Sequence, residues 1–244
     1  MPLAEFLATS GWGTMLRAPL RLIPRNAVVP ILRGPLRGKR WVAGSHRHAC
    51  WLGIYEPELQ ELIKQRLRPG AVFFDIGANA GLYTLLAANQ LGAGRVYSFE
   101  PLPVNVSNLR KHVDLNHFRN VNIFNVAVSD CEGQASFEIG ITCADGRLAP
   151  GGNLTVSTVS LDSMISHCEV KPPNYIKMDI EGGEFRALQG AKECFTRYRP
   201  ELFLATHGKI VHDQCCESLR SWKYATNVAY DVGEDRGAVH AVPV

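Results

Sequence analysis

The amino-acid sequence predicts an α/β protein whose central sheet is mostly parallel, and three observations support this. The apolar run Val72–Ile76 indicates a buried strand, the glycines after it indicate a tight turn, and helical apolar spacing resumes at Leu82. The run Arg95–Glu100 indicates a second strand followed by an amphipathic helix. Tyr175–Ile180 repeats the strand, glycine and helix pattern. Strands that alternate with helices are joined by crossover connections, which make neighbouring strands parallel.

The elements before and between these units follow from local patterns. Proline and glycine residues separate Val28–Leu32 from Arg40–Ala43, which favours a β-hairpin. Apolar residues on one face of Glu56–Leu67 indicate a helix that packs on the core. The run Val121–Val128 predicts a third core strand. We expect residues 1–56 to form an N-terminal extension or cap and residues 57–244 to form the ligand-binding domain.

The second half of the chain changes character before it returns to the α/β pattern. Ala135–Ile139 and Leu154–Leu161 alternate between apolar and polar residues, which predicts an antiparallel β-hairpin insertion. The remaining predicted elements are a fifth core strand at Glu201–Ala205, a helix at His212–Trp222, and two final antiparallel strands at Tyr224–Tyr230 and Ala238–Val242.

Composition limits the class of protein. The chain has 244 residues, of which 46% are hydrophobic and 20% charged, and this excludes a disordered or fibrous protein. A net charge of +3 is too small to indicate a nucleic-acid-binding surface. No apolar run reaches the roughly 20 residues that span a bilayer, so no stable membrane insertion is expected. The 7 cysteines include no Cys-x-x-Cys pair, which favours a reduced, cytoplasmic location and argues against a zinc site.

The glycine turn and the acid after the second strand predict the ligand. The turn reads Asp75-x-Gly77-x-Asn79-x-Gly81, which differs from the Gly-x-Gly-x-x-Gly that approaches a pyrophosphate. Glu100 ends the next strand, where an acid commonly binds ribose hydroxyls. A ligand that has an adenosine ribose and no pyrophosphate fits both observations, and S-adenosylmethionine is the common one. A solvated acid at the start of the following helix is the alternative interpretation of Glu100.

A second cluster surrounds the fourth core strand. Lys177 and Asp179 point to the same side of a strand, and a lysine in an apolar strand needs a charged partner. We expect Asp179 to face the reacting groups, with Lys177 and Glu184 setting its electrostatics. A purely structural salt-bridge network is the alternative.

Five segments in order resemble the FkbM-type methyltransferases. They are Asp75–Gly81, Phe99–Pro101, Ala127–Asp130, Val159–Asp162 and Ile176–Glu184. This resemblance covers roughly residues 51–207. It implies a class I methyltransferase Rossmann-like sheet with an antiparallel last strand, and an enzyme that transfers a methyl group from S-adenosylmethionine to hydroxyl oxygens, with known substrates among polyketides and carbohydrates.

The resemblance also implies which residues bind the cofactor. Asp75, Gly77 and Gly81 would line its methionine and ribose side, with Asn79 as a neighbour. Glu100, followed by Pro101, would bind the ribose hydroxyls. Asp130 would contact the adenine amino group, and the backbone around Val128 and Ser129 would lie near the ring.

The positions of two residues make each of them a candidate acceptor of the hydroxyl proton. His207 ends the fifth strand and titrates near neutrality, and Asp179 competes with it as the base. Lys177 completes the predicted catalytic set. Asp179, Glu181 and Glu184 offer oxygen ligands for a divalent metal, but Gly182 and Gly183 make it doubtful that Glu181 and Glu184 share a helix face, so no metal is expected.

The sequence leaves open three alternatives to a methyltransferase that acts on a small molecule or carbohydrate. An NAD-dependent or nucleotide-sugar oxidoreductase would share the sheet and the ribose acid, but it needs the pyrophosphate turn that the sequence lacks. A degenerate domain that only binds partners would have no reason to keep a ribose acid. An enzyme that methylates nucleic acid would usually have a denser basic patch than this sequence shows. The expected acceptor is therefore a hydroxyl of a small molecule or carbohydrate.

Overall fold

A computed structural model of the chain describes residues 20, 22–140, 146–231 and 236–244. The cap predicted at residues 1–56 therefore lies partly outside the described residues, and so does part of the insertion. Within the described part of the chain, no helix is both long enough and apolar enough to cross a bilayer.

The N-terminal part forms a hairpin and two helices. Strands β1 (Val28–Pro30) and β2 (Arg40–Val42) pair antiparallel, which confirms the predicted hairpin. Helix α1 (His48–Leu52) is followed by Gly53, whose backbone has a left-handed conformation. Helix α2 (Pro57–Arg66) starts at a proline, as is common for a first helical residue.

The central sheet carries the predicted α/β units. The elements of this part are β3 (Val72–Ile76), α3 (Leu82–Leu91), β4 (Arg95–Phe99), α4 (Pro103–Leu115), β5 (Val121–Phe124), β10 (Tyr175–Met178), α6 (Glu184–Gln189), β11 (Glu201–His207), α7 (Lys209–Ser221), β12 (Tyr224–Asp231) and β13 (Arg236–Pro243). A π-helical turn at Cys194–Tyr198 precedes β11. The strand order is β12-β13-β11-β10-β3-β4-β5.

The strand directions confirm a mostly parallel sheet with an antiparallel last strand. The pairs among β5, β4, β3, β10 and β11 are all parallel. Strand β13 is antiparallel to both β11 and β12. Both final strands therefore form antiparallel pairs, as expected, although β12 itself runs in the same direction as β11.

A second sheet forms the insertion. It contains β6 (Ala127–Val128), β7 (Gly133–Glu138), β8 (Arg147–Leu148) and β9 (Leu154–Val159), and α5 (Leu161–Ser166) follows it. Strands β7 and β9 pair antiparallel as predicted. The third core strand was expected to span Val121–Val128, but the chain leaves the central sheet after Phe124, and β6 pairs with β9 instead.

The central sheet is buried on both faces. Successive residues Phe73 and Phe74 point to opposite faces and belong to two different apolar clusters. The Phe74 cluster includes residues of α5, α6 and α7, and the Phe73 cluster includes the cap and residues of α2, α3 and α4. This three-layer arrangement places the carboxyl ends of β3, β4, β10 and β11 along one edge, where open α/β sheets bind ligands.

Candidate active site

The turn between β3 and α3 is packed so closely that it requires glycine. Gly77 and Gly81 have φ angles of +75° and +94°. A Cβ atom on Gly77 would lie 1.9 Å from the backbone oxygen of Asp179, and one on Gly81 would lie 2.2 Å from Leu109 Cδ1. The turn therefore lies directly against the end of β10 and against α4. The first residues of α3 follow with neither an acid in the first turn nor a side-chain cap.

Glu100 is fixed beside this turn by backbone donors. Its Oε2 accepts a hydrogen bond from the Asn79 N–H at 2.8 Å, and its Oε1 accepts from the Leu102 N–H at 3.0 Å and from Asn105 Nδ2 at 3.2 Å. Burial raises the pKa of the Glu100 carboxyl, although these donors favour the ionised form. The carboxylate is thus held rigidly after β4, where the sequence predicts a contact with ribose hydroxyls.

A single cleft connects the turn, the insertion and the ends of β10 and β11. It encloses about 1350 Å³ of empty space counted out to its open mouth. The cap contributes Trp41, His46, Arg47, Cys50, Tyr55 and Glu56 to its lining.

The insertion side of the cleft is apolar. Phe137 on β7 packs in a cluster with Leu102, Ala127 and Val156, and Leu148 packs against that cluster. Phe137, Leu148 and Leu102 all line the cleft. Such a surface suits a flat, largely apolar group such as a purine ring.

The opposite side, at the ends of β10 and β11, is charged. His207 Nδ1 lies 2.9 Å from Glu184 Oε1. Its Nε2 lies 3.3 Å from Glu181 Oε2 and 3.7 Å from Asp179 Oδ1. Lys177 Nζ lies 3.6 Å from the other Asp179 oxygen, Oδ2. Since β3 separates β4 from β10 in the sheet, this cluster and the apolar wall lie on either side of the glycine turn.

Nearby carboxylates raise the pKa of both basic groups of this cluster, His207 and Lys177. Burial alone would lower the pKa of His207, but the hydrogen bond with Glu184 and the nearby Asp179 and Glu181 raise it. Burial would also lower the pKa of Lys177, and Asp179, Asp75 and Glu56 outweigh it, so this pKa is raised as well. The charged Lys177 ammonium therefore pairs with the Asp179 carboxylate.

The cap adds a half-buried acid, Glu56, that the sequence did not reveal. Tyr83 donates a hydrogen bond to Glu56 Oε2, and the Tyr83 ring lies 5.0 Å from Lys177 Nζ. Glu56 has a φ of +42°, which is uncommon for a residue other than glycine. Burial raises the pKa of the Glu56 carboxyl. The left-handed backbone at Glu56 marks a position where local strain is tolerated beside the site.

A family comparison agrees with this geometry. A family model described as "Methyltransferase FkbM domain" matches residues 75–226. The chain belongs to the FkbM methyltransferase family. The matched residues contain the glycine turn, Glu100, the insertion and the charged cluster, and they leave the cap residues outside.

Individual relatives of this FkbM chain share part of their length with it. It is 27% identical over 137 residues to the hexuronic acid methyltransferase AglP of Haloferax volcanii, covering 55% of this chain and 56% of that protein. It is 27% identical over 162 residues to the 31-O-demethyl-FK506 methyltransferase FkbM of Streptomyces tacrolimicus, covering 52% of this chain and 62% of that one. The chain thus spans less than two thirds of either relative.

Solved structures confirm the fold. The crystal structure of methyltransferase FkbM from Methylobacillus flagellatus superposes with a TM-score of 0.53 at 18% identity, covering 73% of this chain and 45% of that one. A SAM-dependent O-methyltransferase from Thermotoga maritima superposes with a TM-score of 0.52 at 11% identity, covering 78% of this chain and 66% of that one. The fold is therefore the class I methyltransferase fold, as predicted.

The FkbM family implies S-adenosylmethionine as the methyl donor, and the residues present fit this molecule. Glu100 offers a fixed carboxylate for ribose hydroxyls, and Phe137 with Leu148 offers an apolar wall for adenine. The uncapped start of α3 presents backbone N–H groups to an anionic group such as a carboxylate. Because the chain belongs to the FkbM family, the alternative prediction of an NAD-dependent or nucleotide-sugar oxidoreductase is no longer supported.

Most of the predicted site residues line the cleft. These are Gly77, Asn79, Gly81, Glu100, Pro101, Val128, Lys177, Asp179 and His207. Three others do not. Asp75 is fully buried and accepts a hydrogen bond from Thr84 Oγ1 at 2.6 Å, because its side chain points into the interior from within β3. Ser129 is buried beside Asp130, and Arg186 binds the Asp130 carboxylate at 2.9 and 3.2 Å.

Some residues that line the cleft were not predicted from the sequence, and they belong to the cap and the insertion. Phe137, Glu56 and Tyr55 line the cleft through long-range packing, and no local motif marks them. Tyr83 also lines the cleft, from the first turn of α3.

Proposed function

We propose that this chain is an S-adenosylmethionine-dependent O-methyltransferase whose acceptor is a hydroxyl of a small molecule or carbohydrate. The observation that carries the proposal is the arrangement of one cleft, in which Glu100 and the apolar wall lie on one side and Asp179 with His207 lie on the other. The similarity to the hexuronic acid methyltransferase AglP and to the 31-O-demethyl-FK506 methyltransferase FkbM supports an oxygen acceptor.

S-adenosylmethionine supplies a methyl group on a sulfonium, which a hydroxyl oxygen can attack in line. The protein's contribution is first to position the acceptor. Orientation of two reactants is worth on the order of 7–11 kcal/mol, whereas a general base adds about 10²–10⁴-fold in rate. The cap and the insertion, which wall the cleft, would therefore contribute more to the rate than proton transfer does.

The proton of the hydroxyl has two candidate acceptors in the cleft. Glu184 accepts from Nδ1 of His207, so Nε2 faces Asp179 and the cleft. The Lys177 ammonium lies 3.6 Å from Oδ2 of the second candidate, Asp179. Glu184 and Lys177 are thus positioning residues, and either His207 or Asp179 takes the proton.

Calorimetric titration with S-adenosylmethionine tests the cofactor claim. We expect binding at micromolar ligand and weakened binding in Glu100→Gln, because the ribose hydroxyls lose a carboxylate acceptor. Glu61→Gln removes an exposed acid from α2 and serves as the matched control. An absence of binding heat at high micromolar cofactor would contradict the proposal.

Transfer of a labelled methyl group to extract-derived acceptors tests the reaction. We expect Asp179→Asn and His207→Ala to fold and the more important of the two to lose about 10²–10⁴-fold in turnover. Mass spectrometry of the product identifies the methylated atom. If both variants bound cofactor and kept full turnover, neither residue would be the base.

A further inference from the structure

The row of side chains that strand β1 turns toward solvent is apolar. Exposure alternates along residues 28–32, where Val28, Pro30 and Leu32 are exposed and Val29 and Ile31 pack on the core. The exposed fractions are 44% for Val28 and 46% for Leu32. Backbone hydrogen bonds of Ile31 continue the hairpin beyond β1, so the three exposed residues form one row on its outer side. The outward row of a half-buried antiparallel strand is normally polar, and this row therefore needs an explanation.

Exposed arginines adjoin the apolar row. Arg40 pairs with Pro30 in the hairpin register, so their side chains lie on the same face. Arg33 directly follows the row, and Arg37 lies in the connection between the two strands. None of these three arginines forms an ion pair with a carboxylate in the part of the chain that the structure describes, whereas Arg66 does. The outer hairpin face is defined here as Val28, Pro30, Leu32, Arg33, Arg37 and Arg40.

Positive charge is concentrated in this region of the chain. Residues 6–55 contain eight of the 26 Lys and Arg residues and none of the 23 Asp and Glu residues, so the rest of the chain is net acidic. A shallow groove beside Arg40 adds Arg110 and Lys111 of α4, together with one acid, Asp114. The charge of the outer hairpin face is therefore complementary to an anionic partner.

We propose that the outer hairpin face docks the chain on the surface of an anionic lipid bilayer. The apolar row would enter the interface while the arginines lie among the lipid phosphates, and these two contributions together hold proteins on membranes. A polyanion such as nucleic acid would bind the arginines but leave the apolar row in water. A second copy of the chain would bring arginines against arginines, which opposes association.

Docking on this face leaves the cleft open. Arg40 and Trp41 are successive residues of β2, and their side chains therefore point to opposite sides of the hairpin. Trp41 lines the cleft, whereas no residue of the outer hairpin face does. The cap thus has one side for the cleft and one side for the bilayer, and the bilayer contact does not depend on the proposed methyl transfer.

Cosedimentation of the full chain with lipid vesicles tests the proposal. We expect binding to vesicles of phosphatidylcholine mixed with phosphatidylserine, weaker binding at high salt, and no binding to phosphatidylcholine alone. Arg33→Gln and Arg37→Gln should each weaken binding about fivefold. Leu32→Asn should weaken it roughly tenfold through lost apolar burial.

Helix α7 offers matched controls, because it packs on the opposite face of the central sheet from the cap. Arg220→Gln removes an exposed arginine and Ile210→Asn removes an apolar side chain that is 75% exposed. Both should bind the mixed vesicles as the wild type does. Thermal unfolding shows whether each variant is folded. Titration with S-adenosylmethionine in the absence of vesicles should give the wild-type affinity in all of them, which keeps this test separate from that of the proposed function.

Three results would overturn the proposal. The first is the absence of sedimentation with mixed vesicles at low salt. The second is equal vesicle binding by folded Leu32→Asn and Ile210→Asn, with heparin bound as tightly as vesicles, which would assign the face to a polyanion. The third is a dimer in sedimentation velocity that Leu32→Asn dissociates while vesicles remain unbound, which would assign the face to a second copy of the chain.

Discussion

His112 links the cap to the glycine turn, and it can do so only as a neutral ring. Its Nε2 accepts a hydrogen bond from the Val42 N–H at 2.9 Å, and its Nδ1 lies 2.7 Å from the Ala80 carbonyl oxygen. A carbonyl only accepts, so Nδ1 carries the proton and Nε2 carries the lone pair. Trp41 of the cap stacks on the ring at 3.9 Å. Protonation of Nε2 would break the contact with the cap.

The pKa of His112 determines how much unfolding free energy the protein loses at low pH. Burial lowers the pKa of His112 from 6.5 to about 4. Between these two values the unfolded chain binds a proton that the native chain does not, so the free energy of unfolding decreases as the pH falls and levels off below about pH 4. A difference of about 2.5 at roughly 1.4 kcal/mol per pKa unit gives a loss of about 3 kcal/mol.

Denaturant unfolding at pH 7.5 and pH 4.5 measures this loss. In His112→Gln the side chain no longer titrates, so the pH-dependent loss should be smaller than in the wild type by up to about 3 kcal/mol. His117→Asn, an exposed histidine beyond α4, should keep the wild-type dependence. If wild type and His112→Gln lost the same free energy, the assignment of a neutral buried His112 would be refuted.

Two further predictions concern the cofactor site. Gly77→Ala should cost about 1–3 kcal/mol more in unfolding free energy than Gly70→Ala, because both residues have positive φ but only Gly77 has a backbone atom in the way; equal costs would exclude the clash. Phe137→Ala should weaken binding of S-adenosylhomocysteine by roughly tenfold through lost apolar surface. Phe118→Ala, outside the cleft, is the control for that titration, and an unchanged affinity in Phe137→Ala would remove the residue from the site.

Local sequence patterns predicted several of the residues that line the cleft from consecutive elements. Glu100 was identifiable because strand ends in a parallel sheet share one edge, and Gly77 because a strand must turn sharply into a helix. Asp179 and Lys177 were identifiable from a charge in an apolar strand. Each of these signals depends on a few neighbouring residues.

Contacts between distant segments account for the features that the local patterns did not predict. Asp75 is paired in register with Lys177 and its carboxylate is held by Thr84, so it faces the interior although it adjoins the turn. Asp130 is bound by Arg186, which lies 56 positions away. The run Val121–Val128 reads as one strand, and only the pairing of its end with β9 divides it.

The division of the cleft between two parts of the chain indicates where acceptor specificity lies. The residues that fit the cofactor and the charged cluster fall inside the family-matched residues 75–226, whereas Trp41, His46, Tyr55 and Glu56 line the same cleft from outside them. A change in the cap can therefore alter the shape offered to the acceptor without moving Glu100 or His207. The contact of Glu56 with Tyr83, beside Lys177, is the point at which such a change would reach the reacting groups.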